Sequence, residues 1–484
     1  MIVKCSLVIV CELVADTTRI LLINQEDKPL KLKTSTLLIA GALLGSAVMP
    51  AHANNEAMLD LLKVLRDQGT ITASNYDLLA NAAAADKEAN EAAKAEVKAE
   101  VKAATKDMPK ITTKGKIKVT SADGNWSFQP VGRVMWDFVD TDEDGSSADD
   151  YQGTELRRAR LGFAGTVYDW GYKFEADFAG SDVDLKDAYI KYGTKLAGNK
   201  LGLKLGQSHI PFGLNTKISS KYMTFMDRPF FADSSISPAR QSGAVVSLAD
   251  PSYKWALSAG YTYAGKDGYK GFSDGEAEET SGTTFAVRGS FVPYMKDKKH
   301  MVQIGAGYLN LNEQDLTSFS FKQRLVSHVD NAKHLSATAD DFAGADAFTV
   351  DAMAIFGSFH AMADFNSYDM DSSSGDDVEI DSYAVEAGYF LTGESLKWKK
   401  GYTSGIKPKS KSGAWQIAAR FESTEIEENS GNDEADKFTI GVNYYPTQNT
   451  RLMLNYDKVT DLTVNGSGVD YEPSSLKFRA QAYW

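Results

Sequence analysis

The sequence predicts an all-β fold: a transmembrane antiparallel β-barrel of about 16 strands, preceded by an N-terminal periplasmic helical extension. From Ile111 onward, apolar and polar residues alternate with a period of two, as they do across Asn125–Asp140. The alternating segments are joined by short turns and by long loops rich in Asp, Ser and Gly. The chain ends on an aromatic residue, Trp484, which is typical of a terminal strand in an outer-membrane barrel. At about 21–24 residues per strand and connection, residues 110–484 provide about 16–18 strands.

The composition of the 484-residue chain excludes several classes of protein. There are 39 Gly, 23 Phe and 22 Tyr but only 2 Cys, and the net charge is −13. This balance excludes a disulfide scaffold, a collagen-like chain and a basic nucleic-acid binder, so no nucleic-acid partner is expected. A soluble β-sandwich would also alternate, but a packed core does not accept charge along a whole strand face.

The N-terminal region contains a targeting signal. Lys31 and Lys33 form a basic region, residues 37–49 are apolar, and Ala51-His52-Ala53 is a cleavage site of the A-x-A type. These three features in this order predict that residues 30–53 are a signal peptide.

Residues 1–29 precede this signal and separate it from the first Met. We interpret them as an upstream extension, with translation starting at Leu30 from an alternative codon. The other interpretation is a signal peptide with a long basic region. Both cysteines, Cys5 and Cys11, lie in this stretch. The exported chain then contains no cysteine, which suits the bacterial periplasm or outer membrane.

Residues 54–109 are predicted to form a periplasmic helical or coiled-coil segment. Apolar residues recur from Met58 to Leu65, Ser74 is a candidate N-cap, and residues 83–107 are rich in Ala, Glu and Lys. The apolar seam of the second helix is thin, so two interpretations stay open. One is a stalk that supports trimerisation or spacing in the envelope, and the other is a flexible helical linker.

The polar face of the alternating strands, which becomes the lumen of a barrel, is basic. By alternation it carries ten cations: Arg133, Arg158, Arg160, Lys173, Lys204, Arg288, Arg420, Arg451, Lys477 and Arg479. The same face carries fewer acids: Asp137, Glu175, Asp177, Glu386 and Asp457. Because Arg and Lys that line a pore favour anions, the pattern predicts an anion-selective channel.

One segment, residues 211–240, interrupts the strand pattern. It combines three Pro and five aromatic residues with the cations Lys217, Lys221, Arg228 and Arg240. This composition predicts a constriction loop that folds into the barrel. The alternative is an external loop at a trimer contact.

Several runs of residues closely resemble one family, the phosphate-selective porins O and P. They occur in order within 114–484: LRRARLGFAGTVYDWGYKFEADFA, LKDAYIKY, LKLGQSHIPFGL, SSKYMTFMDRPF, YFLTGE, GAWQIAARF and GVNYYPTQNTRLMLNYDKV. The resemblance implies a homotrimer of 16-stranded barrels in the outer membrane. It also implies an inward-folded third loop and a ladder of arginines that leads to a narrow anion-binding zone.

The resemblance also implies roles for individual residues. Arg133 resembles a pore-wall arginine, and the pair Arg157 and Arg158 resembles the constriction arginines. Lys217 and Arg228, with Lys221 between them, resemble the basic residues of the constriction loop. Arg324, with Lys322 as second candidate, resembles a later member of the ladder. Arg160 and Arg288 complete the predicted pore residues through their place on the lumen face. By alternation Arg157 and Arg158 point to opposite faces, so both reach the pore only at a bulge or strand end.

Four positions depart from the phosphate-specific members of the family. Arg160 stands in place of a tyrosine, Lys186 in place of an acidic residue, and Gly171 in place of a lysine, while His209 occupies a further specificity position. The resemblance therefore implies the barrel and an anion preference more directly than it implies specificity for phosphate.

The expected function is passive diffusion of phosphate or related small anions, with polyphosphate as a second solute. The alternatives are a general diffusion porin and a structural anchor in the outer membrane. No enzyme is expected, because none of the histidines of the exported chain stands in an H-E-x-x-H or G-x-S-x-G context and only Ser358 and His360 offer a remote dyad. No cofactor or metal site is predicted. The expected partners are membrane lipid, lipopolysaccharide, the barrel-assembly machinery at the Trp484 strand, and two further copies of the chain.

Overall fold

The computed structural model describes residues 55–113, 115–143, 150–263, 282–312, 318–329, 334–429, 431–469 and 471–484. The predicted upstream extension and signal peptide lie outside these ranges. The chain divides into two compact units between Thr105 and Lys106.

The first unit is a helical hairpin made of α1 (Asn55–Asp67) and α2 (Ala73–Thr105). The cap of α2 is Thr72, whose hydroxyl oxygen accepts a hydrogen bond from the Asn75 N–H at 3.3 Å. The predicted cap, Ser74, lies inside the helix instead, because α2 begins one residue earlier. The Arg66 guanidinium lies 4.5 Å from the centre of the Tyr76 ring and ties the two helices together. Of the helices in the described ranges, none has the length and apolar character needed to cross a membrane.

The second unit is a closed antiparallel barrel of sixteen strands. The strands are β1 (Trp126–Asp142), β2 (Tyr151–Val167), β3 (Trp170–Asp177), β4 (Asp184–Leu196), β5 (Asn199–His209), β6 (Arg240–Ala249), β7 (Trp255–Tyr263), β8 (Thr283–Asp297), β9 (His300–Asn312), β10 (Phe342–Phe356), β11 (Phe359–Ser372), β12 (Val378–Phe390), β13 (Ala414–Glu428), β14 (Gly431–Tyr445), β15 (Thr450–Val464) and β16 (Ser474–Tyr483). The predicted fold class and the lower of the two predicted strand counts are confirmed.

The barrel closes where β16 pairs with β1. The register runs from Ser474 opposite Asp142 to Tyr483 opposite Arg133. Next to this seam, the terminal Trp484 packs over Gly132, where a Cβ atom would lie 2.3 Å from the indole ring. The glycine at this position therefore makes room for the aromatic residue that ends the chain.

Alternation along each strand separates a lipid-facing surface from the interior. In β1, Val134 and Trp136 are 41% and 40% exposed, whereas Arg133, Met135 and Asp137 are at most 3% exposed. An apolar outer surface and a polar interior are the pattern of a transmembrane barrel.

At one end of the barrel the connections are short, as between β4 and β5, except for residues 391–413 between β12 and β13, and at the other end they are mostly longer. The longest described connection at the second end, residues 210–239, folds into the barrel. It contains α3 (Leu214–Lys217) and α4 (Phe230–Asp233), and its apolar side chains are buried, among them Phe212, Phe225 and Phe231. This connection, the lumen loop, corresponds to the predicted constriction loop.

Two further segments narrow the interior. Between β9 and β10, the strands Ser318–Gln323 and Leu335–Asp340 form a hairpin. Between β12 and β13, the strands Lys397–Lys399 and Tyr402–Ser404 form another hairpin, and the Trp398 indole N–H donates to Gln303 Oε1 at 2.8 Å. The three remaining short strands, outside the barrel count, are Lys110–Thr112, Lys118–Thr120 and Ser467–Gly468.

Candidate functional site

A cavity of about 550 Å³ lies inside the barrel, between the wall formed by β1–β6 and the lumen loop. Ten cations line it: Arg133, Arg157, Arg158, Arg160, Lys173, Lys186, Lys204, Lys217, Arg228 and Arg240. Five carboxylates line it as well: Glu155, Asp177, Asp184, Asp187 and Asp233. The lining thus carries five more positive than negative charges, and we call this space the cationic cavity.

A β-bulge in β2 brings two adjacent arginines to this cavity. Met135 pairs with Arg158 but the next residue, Trp136, pairs with Leu156, so Arg157 is the extra residue. A bulge suspends the strict alternation of faces. Both Arg157 and Arg158 therefore line the cavity, although alternation alone would have placed them on opposite sides of the barrel wall.

Some of the cations are held by carboxylates on neighbouring strands. Arg133 lies 3.0 Å from Glu175, Arg160 lies 2.7 Å from Asp177, and Arg240 lies 2.9 Å from Asp187. Lys173 bridges this network at 3.1 Å from Glu175 and 2.5 Å from Asp187. These pairs fix the orientation of the side chains and cancel most of their charge.

Four cations of the cavity have no carboxylate oxygen within 4.0 Å in the described ranges: Arg158, Lys204, Lys217 and Arg228. Arg158 Nη1 contacts Met135 Sδ at 3.7 Å, and Lys204 Nζ lies 4.8 Å from the centre of the Tyr189 ring. Arg228 donates to the carbonyl oxygens of Asn215 and Ile218, the second at 2.6 Å. We call these four the unpaired cations.

Burial acts on the two unpaired cations that belong to the lumen loop. It lowers the pKa of Lys217 to about 8 and the pKa of Arg228 to about 10. The protein covers these groups and withholds the water that would solvate their charge. Both side chains still carry charge at neutral pH, so a bound anion would supply the stabilisation that water and carboxylates do not.

Three of the predicted pore residues lie elsewhere. Lys221 is on the lumen loop, 5.1 Å from the centre of the Tyr483 ring, and does not line the cationic cavity. Arg288, on β8, makes two hydrogen bonds to Asp351, one of 2.8 Å. Arg324 follows the Ser318–Gln323 hairpin strand. The other six predicted residues all line the cavity.

Three further residues of the cavity were left out of the predicted pore residues, although the sequence had pointed to each. Alternation had placed Lys204 on the lumen face, Arg240 had been counted among the cations of the constriction loop, and the resemblance had given His209 a specificity position. Arg240 begins β6 at the end of the lumen loop and is opposite His209 in the ladder. The buried Nδ1 of His209 has no hydrogen-bond partner in the described part of the chain.

Chemically, the cavity is suited to a small oxyanion. Arg158 and Arg228 present planar forks of N–H donors, and Lys204 and Lys217 present ammonium groups. No described side chain arrangement here resembles a nucleophile with its base. Cationic N–H donors that outnumber the carboxylates of a polar cavity are typical of a pathway for anions.

Comparison with known proteins is consistent with this geometry. Residues 128–484 match the family described as "Phosphate-selective porin O and P". Porin O of Pseudomonas aeruginosa is 26% identical over 408 residues, covering 74% of this chain and 89% of that protein. An uncharacterized protein of Caulobacter vibrioides is 24% identical over 359 residues, covering 72% of this chain and 71% of that protein.

Among solved structures, an anion-selective porin from Comamonas acidovorans aligns with a TM-score of 0.48 and 14% identity. That alignment covers 74% of this chain and all of the other. The family match spans the whole barrel from β1 to β16, including the lumen loop and the cationic cavity. The chain is therefore an outer-membrane anion channel that belongs to the phosphate-selective porin O and P family.

Proposed function

We propose that the channel passes phosphate by passive diffusion and that the four unpaired cations form its binding site. The observation that carries this proposal is that these four have no carboxylate oxygen within 4.0 Å among the residues that the structure describes, while all six other cations of the cavity have one. An anion that enters the cavity meets donors that are desolvated and not already neutralised. Charge-assisted hydrogen bonds from guanidinium forks match the oxygens of a tetrahedral anion.

Throughput requires that the anion also leaves. The paired cations Arg133, Arg160 and Lys173 surround the unpaired ones and retain N–H donors, but their charge is largely cancelled. They provide weaker neighbouring positions to which the anion can move. Several weak sites in sequence allow faster passage than one strong site.

A second candidate, a channel for small anions in general, is favoured by the size of the cavity. A volume of about 550 Å³ exceeds what one phosphate ion fills, and five carboxylates share the lining. Polyphosphate and other elongated anions also fit this space. Arg160 and His209, which depart from the phosphate-specific pattern, line the same cavity.

We also propose an oligomeric state, a location for the helical hairpin and a route of export. We expect a homotrimer in the outer membrane, with the helical hairpin in the periplasm and a signal peptide removed after export. The apolar outer surface would contact lipid and lipopolysaccharide, and the Trp484 strand would be read by the assembly machinery. No catalytic role is proposed.

The test is the conductance of the purified channel in a planar bilayer under a KCl gradient, followed by titration with phosphate. We expect a reversal potential of the anion-selective sign and a chloride current that phosphate blocks at sub-millimolar concentration. Anion selectivity without block would favour the general anion channel. A reversal potential of the cation-selective sign would contradict both candidates.

A further inference from the structure

Four buried cations on the β13–β16 wall, which adjoins the cavity wall where β16 pairs with β1, contact the lumen loop. They are Arg420 on β13, Arg451 on β15, and Lys477 and Arg479 on β16. By alternation they belong to the same lumen face as Arg133 and Arg160. None of them lines the cationic cavity, and each is at most 3% exposed. We call these four the wall cations.

The wall cations donate hydrogen bonds to the lumen loop itself. Arg451 donates to the Met223 carbonyl at 2.6 Å, Arg479 to the Met226 carbonyl at 2.5 Å, and Arg420 to the Asp227 carbonyl at 3.0 Å. Lys477 donates to the Asp227 carboxylate at 2.7 Å. The wall cations therefore bind consecutive parts of one stretch of backbone, residues 223–227.

Neutral side chains of the same wall complete the attachment. Asn455 Oδ1 accepts a hydrogen bond from the Met226 N–H at 2.8 Å, and Asn443 donates to the Thr224 carbonyl at 2.9 Å. A buried backbone N–H or carbonyl group without a partner lowers the free energy of unfolding. The lumen loop therefore needs these two hydrogen bonds to lie against the β13–β16 wall.

Carboxylates neutralise three of the four wall cations. Arg420 lies 2.9 Å from Glu422, Arg479 lies 2.5 Å from Asp137, and Lys477 contacts Asp457 as well as Asp227. Arg451 has no carboxylate partner in the described ranges and donates to Gln481 at 3.2 Å besides Met223. A permeating anion would find these donors already occupied.

The attached stretch ends next to an unpaired cation. Asp227 is bound to Lys477 on the wall, and the next residue, Arg228, lines the cationic cavity. Consecutive Cα atoms are about 3.8 Å apart, so a displacement of Asp227 necessarily displaces Arg228. The wall contacts thus determine where one of the proposed binding groups stands.

We propose that Arg420, Arg451, Lys477 and Arg479 are positioning residues, which hold the lumen loop against the β13–β16 wall and do not contact the permeating anion. This positioning role goes beyond the binding site assigned under the proposed function. It rests on that proposed function only in the measurements that use block by phosphate. The competing view is that every lumen-facing arginine is a step on the anion path.

The experiment compares two variants of the wall, one that removes a charge and one that does not. Arg451→Gln deletes a cation without leaving a buried carboxylate unpaired, so the barrel should still fold. Asn455→Ala deletes the neutral contact to the Met226 N–H. Lys298→Gln, in the exposed turn between β8 and β9, removes the same charge as Arg451→Gln at a place outside the lumen loop and the two walls. Folding is checked by the heat-dependent mobility of the barrel on a gel.

If the wall cations position the loop, Arg451→Gln and Asn455→Ala raise the chloride conductance and its open-channel noise alike. Both should weaken the phosphate block by about threefold to tenfold, the range expected for losing one buried hydrogen bond. Lys298→Gln should behave as the unmodified protein. Arg451→Lys, which keeps the charge but not the fork, should resemble Arg451→Gln more than the unmodified protein.

The proposal is overturned if Arg451→Gln lowers anion selectivity while Asn455→Ala has no effect, since the charge itself would then serve conduction. It is also overturned if neither variant changes conductance or noise. If phosphate fails to block the unmodified channel, the proposed function is wrong, but the chloride conductance of the two variants still decides the role of the wall.

Discussion

Two walls of this barrel carry the same kinds of residue at the same alternating positions and differ in what those residues face. The wall formed by β1–β6 points its cations at a cavity, and four cations there and on the adjoining loop have no carboxylate partner within the described part of the chain. The wall formed by β13–β16 points its cations at the backbone of the lumen loop. The two walls meet at the β16–β1 seam.

The difference lies in the path of the loop and not in the strands. Residues 223–227 of the lumen loop occupy the donors of the β13–β16 wall. On the β1–β6 wall the loop accepts hydrogen bonds from Arg133 and leaves the donors of Arg158 and Lys204 available. Buried charges are tolerated when they are paired and hydrogen-bonded, as Arg420, Lys477 and Arg479 are on the β13–β16 wall. The position of an arginine in a lumen therefore does not establish that it conducts.

The largest effect is expected from removing two unpaired cations together. In Arg158→Gln with Arg228→Gln, each lost charge removes about 2 kcal/mol of attraction for an anion about 8 Å away at an effective dielectric constant of about 20. We expect the anion-over-cation permeability ratio, measured from reversal potentials, to fall by at least about tenfold. Both side chains line the same cavity, so the losses combine.

A matched control removes two exposed lysines, Lys195→Gln with Lys298→Gln. Their charges are solvated and screened within about 10 Å at 0.1 M salt, so the permeability ratio should change little. Equal losses in both double variants would mean that overall charge, and not the cationic cavity, sets the selectivity. The contrast between the two walls would then have no functional meaning.

The barrel and much of the site follow from sequence pattern. Strict alternation identifies strands, because successive side chains on a strand point to opposite faces. The same rule assigned Arg133 and Arg160 to the lumen, where both line the cavity. The rule could not place Arg157, because the register shift opposite Met135 depends on pairing with β1 and leaves no local mark in the sequence.

The role of each lumen cation could not be predicted, because it depends on the path of the lumen loop through the interior. That path is set by contacts between residues far apart in the chain, such as Arg451 with Met223. The inward hairpin between β12 and β13 was likewise unpredicted. Its sequence, with Gly401 and several lysines, is typical of a surface turn, yet Trp398 is buried against Gln303.

A smaller effect on anion selectivity is expected from a rise in pH. This effect distinguishes lysines that line the cationic cavity from lysines that lie outside it. Burial lowers the pKa of Lys217 to about 8, so this group is charged below that pH and loses its charge as the pH rises through it. Anion selectivity should therefore decline between pH 7 and pH 9 by about twofold to threefold, a modest share of what one such charge contributes. Reversal potentials measured across this range provide the test.

Two variants assign the titration. Lys217→Arg should reduce the decline, because a guanidinium stays charged throughout this range, while the ammonium group of Lys204 in the same cavity leaves a residual part. The pKa of Lys221 is also lowered to about 8 by burial, but Lys221 does not line the cavity. Lys221→Met should therefore retain most of the decline, and a decline that follows Lys221 instead would relocate the binding site toward Tyr483.

The smallest effect is expected from deleting the helical hairpin, residues 55–105, while keeping the predicted signal peptide. Every residue that lines the cationic cavity and every wall cation belongs to the barrel unit. Conductance per channel, reversal potential and phosphate block should equal those of the full chain.

If the hairpin supports trimer assembly, its deletion should lower the temperature at which the oligomer dissociates on a gel, with channel properties unchanged. If it is a linker, neither property should change. A changed reversal potential would contradict both expectations. It would mean that the acidic and basic side chains of α2 act on anions at the channel mouth. The electrostatics that matter would then extend beyond the two walls, and the comparison between them would describe only part of the pathway.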